Sequence, residues 1–164
     1  DHFLGAKKSA AHWASYLVRQ GNVDAKTSTQ IGIRGNPRTL DWLKPSYDLG
    51  YQVITMNEFQ KIGLKKSSEK ILSRLGDEPI YVTFDLDCLD SSVAPAAANI
   101  EPAFKGFSID EARKLLQSLK GKNIIGGDVA CLIPTKDYRN NITSMVAASI
   151  MFEIISLISV NLRK

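Results

Sequence analysis

Apolar positions along this chain fall into two alternating rhythms. In residues 9–19, Ala10, Trp13, Ala14, Leu17 and Val18 recur at helical spacing and Gly21 supplies a stop, which predicts a helix with Trp13 in the core. Residues 29–35 (Thr-Gln-Ile-Gly-Ile-Arg-Gly) read as a short buried strand ended by Gly35-Asn36-Pro37. Residues 39–49 are weakly helical, with Pro45 in a first turn or as a breaker. A strand follows at 51–55. A helix at 67–75 sets Ile71, Leu72 and Leu75 on one face and closes at Gly76. Residues 79–87 begin as an apolar, β-branched and aromatic run, the mark of a buried strand. Ser108 and Glu111 form a capping box for a helix carrying Ile109, Ala112, Leu115, Leu116 and Leu119. Residues 123–129 are the last strand.

The final segment, residues 141–161, is apolar nearly all round, with Met145, Val146, Ile150, Phe152, Ile154, Ile155, Leu157 and Ile158. A membrane span would need ~20 apolar residues. Glu153 near the centre and Asn161, Arg163 and Lys164 at the end argue against one. The expectation is a helix buried in a large core or at a subunit interface. Strands alternating with helices predict an α/β domain with a mostly parallel sheet, in which ligands gather beyond the carboxyl ends of the strands. Asp85, Asp87, Asp128 and Arg34 all fall at or near such ends.

Asp85 and Asp87 carry the chemistry. Side chains alternate across a strand, so the two carboxylates point to one side if the extended conformation persists. Two converging carboxylates repel and are costly to desolvate, and a divalent cation bound by their oxygens is the usual remedy. The plainer alternative is that one aspartate caps the next loop and the other is solvated.

Composition narrows the classes. The 164 residues are one domain's worth, and 44% apolar with 23% charged residues is ordinary for a globular protein. The net charge of +4 comes from scattered lysines without interleaved aromatics, a solvated surface and not a nucleic-acid footprint. Cys88 and Cys131 are far apart and lack Cys-x-x-Cys spacing, which argues against a structural zinc site or a disulfide scaffold and suits a reducing cytoplasm. No signal-peptide pattern is visible. The chain opens on Asp1 without a methionine and reads as part of something longer.

Phe84-Asp85-Leu86-Asp87-Cys88-Leu89-Asp90, then Ala94-Pro95, Glu101-Pro102 and Gly106-Phe107-Ser108, resemble the ureohydrolase family of arginases, agmatinases and relatives. That family's signature is Ser-Phe-Asp-x-Asp-x-x-Asp-Pro, then Ala-Pro, a Gly-Thr-Gly loop and Pro-Glu-Pro-Gly-Gly. The likeness extends to residues 30–35, to Gly126-Gly127-Asp128-Val129 with Pro134, and to the apolar last helix. It implies a three-layer α/β/α domain of which residues 1–164 are the C-terminal portion. It also implies two Mn²⁺ ions in the complete protein, with Ni²⁺ or Co²⁺ as alternatives, and hydrolysis of a small guanidino substrate to urea and an amine. A cytoplasmic homo-oligomer, trimer or hexamer, with no nucleic-acid or membrane partner, completes the expectation. By position, Asp85 and Asp87 would ligate metal, while Asp90 and Asp128 would support them.

The departures from the family pattern are as informative. Its upstream ligands, a histidine and an Asp-Ala-His-x-Asp motif, are not reproduced by Asp1-His2. The glutamate that pairs with the substrate guanidinium is here Cys131, which cannot make a bidentate charge-assisted contact. Glu101 is a candidate to take its place. The Gly-Thr-Gly loop has become Ala96-Ala97-Ala98-Asn99, with an apparent two-residue insertion near Ala103-Phe104. His12 falls about two residues out of register with the family's proton-shuttling histidine and is a candidate acid/base. These changes point to agmatine, a guanidino acid or another small guanidine more than to arginine, or to a non-catalytic homologue that keeps the fold. An Mg²⁺-nucleotide site lacks the Gly-rich phosphate loop it would need.

Overall fold

Helices and strands alternate through the chain, and each strand runs parallel to its partner. The computed structural model describes Ala6, residues 8–37 and residues 39–162; Asp1 and His2 lie outside the described residues. Helix α1 (Trp13–Arg19) precedes β1 (Thr29–Ile33), and α2 (Lys44–Leu49) precedes β2 (Gln52–Thr55). Helix α3 (Met56–Arg74) leads into β3 (Ile80–Asp85), α4 (Ile109–Gln117) into β4 (Ile124–Ala130), and α5 (Ile142–Leu162) follows. β1 pairs with β2 and β3 with β4, both in parallel. Among the described residues these are two separate two-stranded sheets, where one continuous sheet was expected, because no strand is hydrogen-bonded between the pairs.

A larger core gathers Ile54, Phe59, Phe84, Leu86, Ile150 and Ile154 between α3, α4, α5 and the strands. A smaller one holds Ala25, Tyr51 and Val53, against which α1 packs Ala14 and Val18. The inward stripe of this seven-residue helix is therefore the i, i+4 pair, and Trp13 beside it is 50% exposed, not the core residue expected.

The expected helix at 67–75 proves to be the second half of α3. Gly63, at φ 78°, breaks the helix, and a first half begins where the Thr55 hydroxyl accepts the Glu58 N–H at 3.2 Å. Pro45 sits in the first turn of α2. The capping box of α4 is formed: Glu111 N–H donates to Ser108 Oγ at 3.2 Å and Ser108 N–H to Glu111 Oε2 at 2.8 Å.

Helix α5 buries Val146, Ala147, Ile150, Ile154 and Leu157 and leaves Met145, Phe152 and Ile155 exposed, so its burial is one-sided. By length and composition alone it could cross a bilayer. Glu153 in its middle is instead paired with Arg113 of α4, Nη2 to Oε1 at 2.6 Å. Asp137 holds the start of α5. Its carboxylate accepts Thr143 N–H at 3.1 Å and both the N–H and the hydroxyl of Ser144 at 2.8 Å. Burial works to raise this carboxyl, but the Ser144, Thr143 and Tyr138 donors outweigh it and hold it at about 2.

Asp137→Ala should therefore destabilise the protein, because the start of α5 loses the acceptor of its first N–H groups. Because the folded-state pKa is depressed, the contribution is present above the ordinary carboxylate range and is lost as pH falls toward 2. Urea midpoints of the two proteins should converge on acidification; a gap that persists unchanged would refute this assignment.

Candidate metal centre

Strand β3 ends at Asp85, two residues before the second aspartate. The chain turns at once through a 3₁₀ turn, Leu86–Cys88, in which Asp85 Oδ1 accepts the Asp87 N–H at 2.9 Å. Leu86, fully buried, anchors the turn in the core. The expected extension through Asp87 does not occur, and a tight turn brings the two carboxylates together instead.

Strand β4 delivers the third member. Ala130 is in register with Asp85, and Cys131 follows it in the left-handed region at φ 67°. That conformation is uncommon outside glycine and costs on the order of 1 kcal/mol or more. The loop after Ala94 docks against this exit. Ala98 N–H donates to the Cys131 carbonyl at 2.8 Å, Ile133 N–H to the Ala96 carbonyl at 2.9 Å, and Ala97 bridges Leu132 antiparallel. The buried Thr143 hydroxyl accepts the Ala96 N–H at 3.1 Å, tying the loop to α5. So held, Asn99 donates its backbone N–H to Asp87 Oδ1 at 2.9 Å and its side-chain amide to Oδ2 at 2.6 Å.

One oxygen each of Asp85 and Asp87 and the Cys131 sulfur consequently lie within 4.8 Å of one another. Asp85 is exposed and the other two are half-buried. Burial, a hydrogen bond to Asp85 and the charges of both aspartates push the Cys131 thiol up to about 12. Burial likewise drives Cys88, with the charge of Asp85 adding to it, to about 12. Two carboxylates and a sulfur converging on one solvent-reachable point form a donor set that fits a divalent cation.

The remaining candidates take other places. Asp90 accepts the Ser92 hydroxyl at 2.7 Å, the Ser92 N–H at 3.1 Å and the Gly106 N–H at 3.0 Å, and these bonds hold its carboxyl at about 2. Asp128 accepts the Thr83 hydroxyl at 2.9 Å across the β3–β4 register and so sits one strand repeat back from Asp85. The Glu101 carboxylate lies over Gly35 at the end of β1, outside the cluster. His12 bonds Ser9 Oγ through Nδ1 at 3.1 Å and meets Tyr16 edge-on, both on its own helical segment. The structure thus brings Asp85, Asp87 and Cys131 together and leaves Glu101 and His12 apart from them.

Two further residues hold this cluster in place. Asn99 clamps Asp87, and its only signal was its place in the altered loop. Arg34 follows the end of β1, a position where ligands were expected to gather. It instead donates to four backbone carbonyls: Asp87 at 3.1 Å, Leu89 at 2.6 Å, Glu101 at 2.8 Å and Phe104 at 2.6 Å.

Known proteins share this arrangement of elements. The chain is 31% identical to the mitochondrial guanidino acid hydrolase of Homo sapiens over 94% of its own length and 43% of that protein's. It is 34% identical to the agmatinase of Neisseria meningitidis serogroup C over 85% of its length and 42% of the relative. The solved proclavaminate amidino hydrolase of Streptomyces clavuligerus superposes with a TM-score of 0.85 at 27% identity, over 97% of this chain and 51% of that one. The chain therefore spans about half or less of the proteins it matches. The fold is the arginase-like α/β fold, and with the model of the Arginase family matching residues 1–156, the chain belongs to the arginase family.

Proposed function

We propose that this chain is the C-terminal part of a ureohydrolase catalytic domain, and that the complete protein hydrolyses an agmatine-like guanidine or a guanidino acid, at a linear C–N bond, to urea and an amine. The convergence of Asp85 and Asp87 at the carboxyl end of β3 is the observation that carries this reading. The names of the relatives, agmatinase and guanidino acid hydrolase, support it. When bound, a divalent pair (two Mn²⁺, with Ni²⁺ or Co²⁺ as alternatives) lowers the pKa of a water so that hydroxide exists near neutral pH. Asp85 and Asp87 would hold metal, Asn99 fixes the orientation of Asp87, and Arg34 fixes the backbone that carries it. We place the protein in the cytoplasm as a trimer or hexamer, in which the exposed apolar side of α5 would find cover. Without the upstream ligands of the family motif, the chain by itself is expected to release no urea.

A second reading, a homologue that has lost catalysis, is favoured by Cys131, which offers no carboxylate to a guanidinium. Urea release by the complete, manganese-loaded protein against agmatine, arginine and guanidino acids separates the two. Asp87→Ala should abolish that release and sharply reduce bound manganese, measured by metal analysis after dialysis. Unchanged metal content would remove Asp87 from the ligand set.

A further inference from the structure

We infer that Cys131 is itself a metal ligand, so that this site takes a thiophilic divalent cation such as Zn²⁺ or Co²⁺ on two carboxylates and one thiolate. The inference rests on the metal reading of Asp85 and Asp87 and goes beyond it in naming a third donor and the class of ion.

Geometry is the first support. The Cys131 sulfur lies within 4.8 Å of an oxygen of each aspartate. A cation bonded at about 2.0–2.3 Å to each donor spans that triangle after small side-chain adjustments. Rigidity is the second. The Cys131 carbonyl is pinned by Ala98 N–H, its strand is locked to β3 in register, and Asp87 is held through both oxygens by Asn99. Each of those carboxylate oxygens keeps a further lone pair for a cation. Donors fixed in this way lose little freedom on binding.

Chemistry is the third. A sulfur cannot make the paired contacts of a carboxylate to a guanidinium, but it is a strong ligand for softer divalent ions. Binding forms one sulfur–metal bond, and the thiol proton leaves to solvent. Cys88, the residue after Asp87, packs against the larger core and is not in the donor group, which makes it an internal control.

Co²⁺ titration of the complete protein reads the ligand directly. The expected result is visible d–d bands together with a near-ultraviolet sulfur-to-cobalt charge-transfer band. Cys131→Ser should lose the charge-transfer band, and Cys88→Ala should keep it. X-ray absorption of the Zn²⁺-loaded, unsubstituted protein should show a sulfur at about 2.3 Å, a measurement that depends on no variant. Visible bands without charge transfer, and a zinc shell without sulfur, would overturn thiolate ligation while leaving the carboxylate site standing. No uptake of Co²⁺ or Zn²⁺, or uptake unchanged in an Asp85→Asn, Asp87→Asn double variant, would overturn the metal reading and this inference with it.

Discussion

Arg34→Met is expected to destabilise the protein by about 3–5 kcal/mol, because one guanidinium serves four backbone carbonyls at once. The side chain crosses from the end of β1 to the segment of residues 87–104, where Asp87, Leu89, Glu101 and Phe104 turn their carbonyls toward it. Hydrogen bonds from a charged donor contribute about 1.5–3 kcal/mol each. The site is only half-buried, so water can replace some of them, and the total falls well short of four full bonds. Methionine keeps most of the aliphatic volume, which isolates the lost donors from lost packing. Urea denaturation should show a lower midpoint at unchanged slope. A loss below about 1 kcal/mol would mean that solvent satisfies these carbonyls and that the tether is incidental. Metal affinity should fall in the same variant, because the Asp87 backbone is one of the four points held.

Gly106→Ala should cost about 3 kcal/mol or more, at the upper end of what overpacking does. An added Cβ would stand 2.3 Å from the Asp90 nitrogen, 2.4 Å from the Leu89 carbonyl carbon and 2.6 Å from the Asp90 Cα. All three are backbone atoms, so no rotamer change relieves the clash. Nor can the strands of this loop part freely, since Asp90 N–H donates to the Phe107 carbonyl and Phe107 N–H to the Cys88 carbonyl, each at 2.9 Å. Gly21→Ala is the natural comparison. That glycine has φ 74° but nothing within 4 Å of a built Cβ, so only its backbone conformation is penalised, by about 1 kcal/mol. Thermal midpoints should therefore drop much further for Gly106→Ala. Equal drops would show that the close approach at Gly106 is relieved by a movement the structure does not contain.

Long periodic segments were legible in the sequence, and local turns were not. The capping box at Ser108 and Glu111, the four strands and the last helix all stand where spacing placed them, to within a few residues. The first half of α3 escaped because it is a single short amphipathic stretch, Met56 and Phe59, ending at Gly63. Its cap, Thr55, looked like the end of a strand. For the site, Asp85 and Asp87 were found for an incomplete reason: alternation on a strand predicted their convergence, and a 3₁₀ turn produces it. The nearness of Cys131 follows from the β3–β4 register, which relates residues 45 apart and which no local pattern encodes. Glu101 was matched by its type, but the Arg34 bond to its carbonyl is part of a loop geometry that sets its carboxylate over Gly35. Tertiary hydrogen bonding of this kind leaves no mark on composition.

The division of the strands into two pairs has a colloidal consequence. Each of the four strands has one edge with no strand partner among the described residues. An open edge is a row of unused donors and acceptors that can pair with another chain. The β3–β4 pair also shows the solvent Tyr81 and Ile125, 59% and 62% exposed, so strand addition there would gain apolar burial as well as hydrogen bonds. Handled on its own, this chain should clump by sheet growth as it is concentrated, and lysine in place of Ile125 would lengthen its life in solution without reaching the aspartates.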